Sequence, residues 1–311
     1  MARIFAISDL HVDHPENLRW LEELPFHLYE NDIILVAGDV TDKLPLLKST
    51  LITLTKKFKT VYFVPGNHEL WVKDRNIMNN CMNSVDKFDR ILDLCETIGV
   101  RTDPGKEVVA DGESVWIVPL FSWYATPEDD KQDSLHIHAS HLREDVKLCN
   151  QLWMDNHNCA WPKDLGMPRA KFFCKLNHAR TQTIYDAPVI TFSHFLPRKE
   201  LVKSSIADDR CIVHERRHLG KPLLLPKRQG SMKGFNFTRY AGCQGLDTQV
   251  RTVGSILHVY GHQHRNRDRV IDGVRYVSHC LGYKKEREEG FTYGIREWNG
   301  PKQVYPQVHK S

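Results

Sequence analysis

No apolar run in this chain of 311 residues approaches the roughly 20 residues that a membrane-spanning helix needs, so no transmembrane segment is expected. No C-x-x-C pair occurs among the eight cysteines (81, 95, 149, 159, 174, 211, 243 and 280), and their spacing follows no framework. That absence argues against zinc ribbons and redox dithiols and fits reduced, mostly buried thiols in a cytoplasmic chain. Residues 3–8 are needed as a first strand, so they do not read as a cleaved leader. Internal repeats and low-complexity tracts are also absent. Net charge is only +4, and its basic character is local: residues 210–233 hold seven Lys or Arg against one acid, a net +6, which leaves −2 for the remainder. Such a basic loop, spanning about residues 208–234, is a phosphate-attracting rim, a nucleic-acid contact or a solvated loop.

What the sequence does contain is a repeated termination. Five short β-rich runs, residues 3–8, 32–38, 61–66, 188–193 and 255–261, stop at Asp9, Asp39, Asn67, His194 and His262. Strands that deliver such residues to one sheet edge put them where α/β folds bind ligands. The local motifs are D-x-H (Asp9, His11), G-D (Gly38, Asp39), G-N-H-E (Gly66, Asn67, His68, Glu69), the lone His194, and G-H-x-H (Gly261, His262, His264). Each is common alone; their order along the chain is what carries weight. Imidazole, carboxylate and amide donors without thiolate suit Mn, Fe or Zn, and argue against an iron–sulfur cluster or an all-oxygen calcium site.

In this order the motifs resemble the signature of the calcineurin-like metallophosphoesterase superfamily, over the span from Asp9 to His264. The resemblance implies an α/β fold, a sandwich of two mixed β-sheets flanked by helices, and a pair of metal ions about 3.5 to 4 Å apart. By that analogy Asp9, His11, Asp39 and His264 bind the first ion, and Asp39, Asn67, His194 and His262 the second, with Asp39 as the bridge. The implied reaction is hydrolysis of a phosphate ester by attack of a metal-bridging hydroxide. His68, directly after Asn67, is then the catalytic residue that protonates the leaving oxygen or stabilises the transition state as a cation, with Glu69 as its orienting partner. The plainer alternative is that His68 caps the following helix. Asp42 reads as a carboxylate behind a ligand histidine or as a helix N-cap. Arg198 and Arg265 are the substrate-binding candidates, one of them clamping phosphate.

Where phosphoprotein phosphatases carry two arginines in these loops, this chain has Lys43 and Pro65, and where purple acid phosphatases carry a tyrosine it has Asp42; neither subgroup is expected. The partner is a phosphorylated substrate, with nucleic acid less favoured. A nuclease gripping its substrate through the basic loop, and a scaffold that has lost its metals, are the alternatives; a scaffold would be expected to show broken ligand positions, and all seven are intact.

Because ligands near both ends must meet, residues 1–311 read as one domain. Residues 15–24, 44–58 and 85–95 show helical periodicity, and Asp111-Gly112 and Asp272-Gly273 mark hairpins. Residues 122–188 read as an insertion beside the site, with helices near 135–153 and 170–185, and with Trp123 and Tyr124 either packed or stacking on a ligand ring. Residues 291–298 read as the last strand.

Overall fold

The computed structural model describes residues 2–72, 83–109, 112–138, 144–223, 234–294 and 300–306. Strands β1 (Ile4–Ile7), β2 (Ile33–Val36) and β3 (Thr60–Phe63) are short and almost wholly buried, as apolar runs covered on both faces must be. They pair in parallel through crossover helices. Helix Pro15–Glu23 has proline in its first turn and buries Leu21, and helix Leu44–Lys57 buries Leu47, Leu51 and Leu54 at offsets of three and four.

Strands β4 (Gly105–Val108), β5 (Ser114–Pro119), β6 (Val189–Phe192), β7 (Ser255–Tyr260), β8 (Arg267–Ile271) and β9 (Val274–Ser278) form a second sheet, and β10 (Lys302–Tyr305) joins the first. The orders are β10-β1-β2-β3 and β4-β5-β6-β7-β9-β8. Both sheets are mixed, with parallel strands inside and antiparallel strands (β10, β4 and β8) at edges. Ile4, Ile34, Ile117, Ile190, Val259 and Val277, drawn from both sheets, share one apolar core, so the sheets pack face to face. A second cluster lies under helix Gln244–Thr252, on the other face of the larger sheet.

The β8–β9 hairpin turns on Asp272 and Gly273, both at positive φ (47° and 83°), as expected for that pair. Strands β4 and β5 also pair as a hairpin, although Asp111 itself lies outside the described residues. Of the strand expected at 291–298, residues 291–294 form turns and the rest lies outside the described residues; the last described strand is β10, beside β1. Helix Val146–Leu152 starts later than the periodicity suggests, because Asp145 caps it (Leu148 N–H to Oδ1, 3.0 Å) and Ser134 bridges to Cys243. Helices Arg169–Leu176 and His178–Gln182 fill the second expected helical stretch. Trp123 and Tyr124 are buried among Phe173, Phe195 and Trp161, which is packing. Of the basic loop, residues 206–218 are helical and 224–233 lie outside the described residues. Among the described residues no helix is long and apolar enough to cross a membrane.

The loops after β2 and β3 are locked together by one side chain. Glu69 accepts the backbone N–H groups of Asp39 (2.9 Å) and Gly66 (2.6 Å) on Oε2, and those of Val40 (2.6 Å) and Thr41 (3.0 Å) on Oε1. It is therefore a loop clamp; the expected role of orienting His68 gives way to these four bonds. Glu69→Gln, whose amide group must face at least one of those donors, is expected to cost about 1–3 kcal/mol in denaturant unfolding. A stability equal to wild type would remove the clamp from the account.

Candidate metal centre

The strand-end residues leave their strands in an unusual conformation. Among the described non-glycine residues six have positive φ, and five of them are Asp9 (51°), His11 (41°), Asp39 (55°), His262 (71°) and His264 (50°). Each costs of the order of 1–2 kcal/mol in the left-handed region, and such strain gathers at functional sites. The turn it produces lets consecutive loops aim side chains at one point.

That point is buried and rich in donors. His11 Nε2 lies 3.1 Å from His264 Nε2, and His264 Nε2 lies 3.4 Å from Asp9 Oδ1. Across the site, His194 Nε2 lies 3.4 Å from Asp39 Oδ2 and 3.1 Å from Asn67 Oδ1. Three groups of possible ligand atoms emerge: Asp9, His11 and His264; Asp39, His194 and His262; and, between them, His11, Asp39 and His68. All seven expected ligand positions thus come together, and Asp39 sits between the two ends.

Hydrogen bonds on the far side of the histidines test whether a cation fits. His194 Nδ1 donates to the Ala37 carbonyl (2.9 Å), His262 Nε2 to the Tyr240 carbonyl (2.9 Å), and His264 Nδ1 to Glu286 Oε2 (2.6 Å). With one nitrogen committed as donor, a neutral ring turns a lone pair inward. Were every ring neutral, lone pairs and carboxylate oxygens would stand 3.1–3.4 Å from one another with no proton between them, an arrangement that calls for a cation. The electrostatics say the same. Burial opposes charge throughout, yet Asp39 raises His194 to about 9, and Glu286 and Asp9 raise His264 well above the usual imidazole range. Burial lowers His11 to about 4 and His262 to about 3, each helped by a neighbouring imidazole. The pocket draws positive charge but cannot take it as protons on every ring.

The centre opens into a cleft of about 430 Å³. One wall is apolar, formed by Trp153, Phe235, Phe237 and Val202; His68, Arg265, Tyr283 and Glu286 line the cleft as well. His68 stacks on Trp71 (centroids 3.7 Å apart), its N–H donates to Asp39 Oδ1 (2.9 Å), and its Nε2 stands 3.8 Å from Asp39 Oδ2. Burial lowers it to about 3.

The family model for calcineurin-like phosphoesterases matches residues 2–266. The chain belongs to that family. It is a phosphoester hydrolase with a donor set suited to metal. Among similar proteins, the acyl-carrier-protein phosphodiesterase PptH of Mycobacterium tuberculosis is 34% identical over 295 residues, 91% of this chain and 78% of that protein. A crystal structure of the phosphopantetheinyl hydrolase PptH from Mycobacterium tuberculosis aligns with a TM-score of 0.70 at 22% identity, over 98% of this chain and 96% of that one, and supports the fold.

The two arginine candidates part company. Arg265 lines the cleft, its guanidinium over Phe291 (3.8 Å) and bonded to the His264 carbonyl (2.6 Å). Arg198 does not reach the cleft: it is held by Glu200 (2.7 Å), Asp272 (3.0 Å) and Asp247 (3.6 Å), carboxylates that neutralise it in a separate hollow. Asp42 does not cap a helix, since Lys43 is the N-cap residue of helix Leu44–Lys57. Sequence reading missed Glu286, which backs His264, and Tyr283, which stacks on His11 (4.7 Å). Both follow β9 on a short helix and its N-cap, with no motif to flag them.

If the centre binds cations only when folded, chelation must destabilise the protein. A site held at 100 times its Kd contributes about 2.7 kcal/mol. A chelator is therefore expected to lower Tm of the wild type by several degrees and to leave Tm of Asp39→Ala nearly unchanged. Equal shifts in both would contradict the assignment.

Proposed function

We propose that this chain is a two-metal phosphodiesterase whose substrate is a phosphopantetheine-type diester on a carrier protein. The relative named as an acyl-carrier-protein phosphodiesterase supports the substrate class. The observation that carries the reading is the cleft itself: a buried cation-seeking centre continuous with an aromatic wall, Phe237 and Trp153 standing 5.4 and 5.8 Å from His262. A diester has two arms. The wall gives an elongated organic arm an apolar surface beside the phosphorus, while Asn236, Thr238, Gln263 and Ser204 supply polar partners along it.

Asp9, His11, Asp39 and His264 would hold one metal, and Asp39, Asn67, His194 and His262 the other. Bound there, Mn, Fe or Zn would supply the charge that neutralises phosphoryl oxygens and readies a water for attack. The residues do the rest. Asp39 shares its carboxylate between both ends. His68, flat against Trp71, holds an N–H towards the leaving oxygen; a depressed imidazole is neutral, so it acts as a hydrogen-bond donor at that atom. Arg265 is the phosphate-binding arginine, fixed by Phe291 and the His264 carbonyl. The full chain, 1–311, acts as one unit, with residues 122–188 inserted beside the site.

The test is a panel of phosphopantetheinyl carrier protein, simple phosphodiesters, phosphomonoesters, RNA and DNA, each with Mn²⁺, Zn²⁺ and Fe²⁺. Release of the pantetheine arm with the highest kcat/KM is the expected outcome; faster cleavage of nucleic acid, lost steeply with salt, would favour the nuclease instead. His68→Ala is expected to keep both metals while kcat falls about a hundredfold or more. Loss of metal in step with activity would refute its role at the leaving oxygen.

A further inference from the structure

We propose that Asp155, a residue of the insertion, is a positioning residue that sets the orientation of Asn67 for metal and ties the cleft wall to it. This rests on the reading of Asn67 as a ligand. Asp155 opens the short helix Asp155–Asn158 and is 3% exposed. Its Oδ1 accepts from Asn67 Nδ2 (2.8 Å) and Trp71 Nε1 (2.7 Å), and its Oδ2 from Trp153 Nε1 (3.0 Å).

An asparagine amide has two faces, and only its oxygen can bind a cation. A carboxylate accepts and does not donate, so it selects the NH2 side of Asn67. The oxygen is thereby turned to the opposite side, where it lies 3.1 Å from His194 Nε2. Rotating the amide would set oxygen against oxygen at Asp155 and remove the donor from the centre. The geometry also explains why an acid stands here: three N–H groups converge, and an amide or hydroxyl would bring a donor of its own.

The same carboxylate reaches two further parts of the site. Trp71 is the ring under His68. Trp153 lines the cleft and stacks on Tyr240 (4.4 Å, interplanar angle 3°), whose carbonyl accepts from His262. One side chain from the insertion thus couples a ligand, the platform of His68 and the apolar wall. No role for residues 122–188 follows from the family motifs; this contact supplies one.

Mn²⁺ binding to the purified full chain, measured by calorimetry and by metal content after dialysis, tests the idea. Wild type is expected to bind two ions, and Asn67→Ala to weaken one of them. Asp155→Ala is expected to weaken the same ion by about 10 to 100-fold, and to add less than about twofold in the Asn67→Ala background. Unchanged affinity, equal weakening of both ions, or full additivity in the double variant would overturn the proposal. Should Asp155→Ala fail to fold, Asp155→Asn preserves the volume but offers one acceptor oxygen, so it can satisfy Asn67 or Trp153 and not both. With its oxygen towards Asn67 it is expected to keep metal affinity and raise KM for the diester through Trp153, and with its oxygen towards Trp153 to lower affinity at the same site; wild-type values in both would count against the role. If Asn67→Ala itself left both ions untouched, the ligand assignment would fall first, an outcome distinct from failure at Asp155 alone.

Discussion

Two buried carboxylates set the terms for this molecule. Asp9 and Asp39 are almost fully enclosed, and an ionised group in such a place is stable only beside positive charge. Histidines answer that need in part: against the cost of burial, His194 lowers Asp39 and His264 lowers Asp9. They cannot do so completely: burial holds His11 and His262 down, and each neighbouring imidazole adds to that. Metal cations would resolve the conflict because they concentrate charge without occupying the rings with protons. The folded loops hold these groups together with strain and clamps already in place.

Close approach of those loops fixes their glycines. A Cβ on Gly38, itself at φ 78°, would come within 2.7 Å of both the Gly66 nitrogen and His194 Nδ1. One on Gly261 would meet Asp9 Oδ2 and the Ser8 side chain at 2.8 Å. Gly66 faces Asp39 in the same way, its added carbon 2.7 Å from the Asp39 nitrogen. The glycine of each G-D, G-N and G-H pair is thus what lets the neighbouring ligand's backbone pass, and the motif spacing is a packing rule before it is a chemical one.

This is why so much could be read from sequence. Strand-ending ligands and their glycines are local in the chain, so Asp9, Asp39, Asn67, His194 and His262 stand out before any coordinates, as do the helices with offsets of three and four. The parts that did not show depend on contacts between distant segments. Glu286 backs His264 from 22 residues away, and Arg239, next to Thr238 of the cleft lining, is held by Glu128 and Glu144 of a distant segment. Arg198 illustrates the reverse error. Its place four residues after His194 suggests phosphate, but neighbouring Glu200, and Asp247 and Asp272 from two other segments, claim it. Likewise β10 is set by its antiparallel pairing with β1, a contact across the whole length of the chain.

The proposed ligand sets are unequal in charge, which bears on how the centre fills. Asp9 and Asp39 give the first set two carboxylates, and Glu286 adds a third negative charge behind His264. The second has Asp39, with Asn67 as its only other oxygen donor, two histidines backed by neutral carbonyls, and the Asp155 carboxylate behind Asn67. Coulomb attraction favours the first set by the one further carboxylate that Asp9 brings. A cation at the second position then depends on geometry more than on charge, and every oxygen lone pair there must already face it. That makes the orientation of one amide a matter of affinity, and it places the burden on whatever stands behind Asn67.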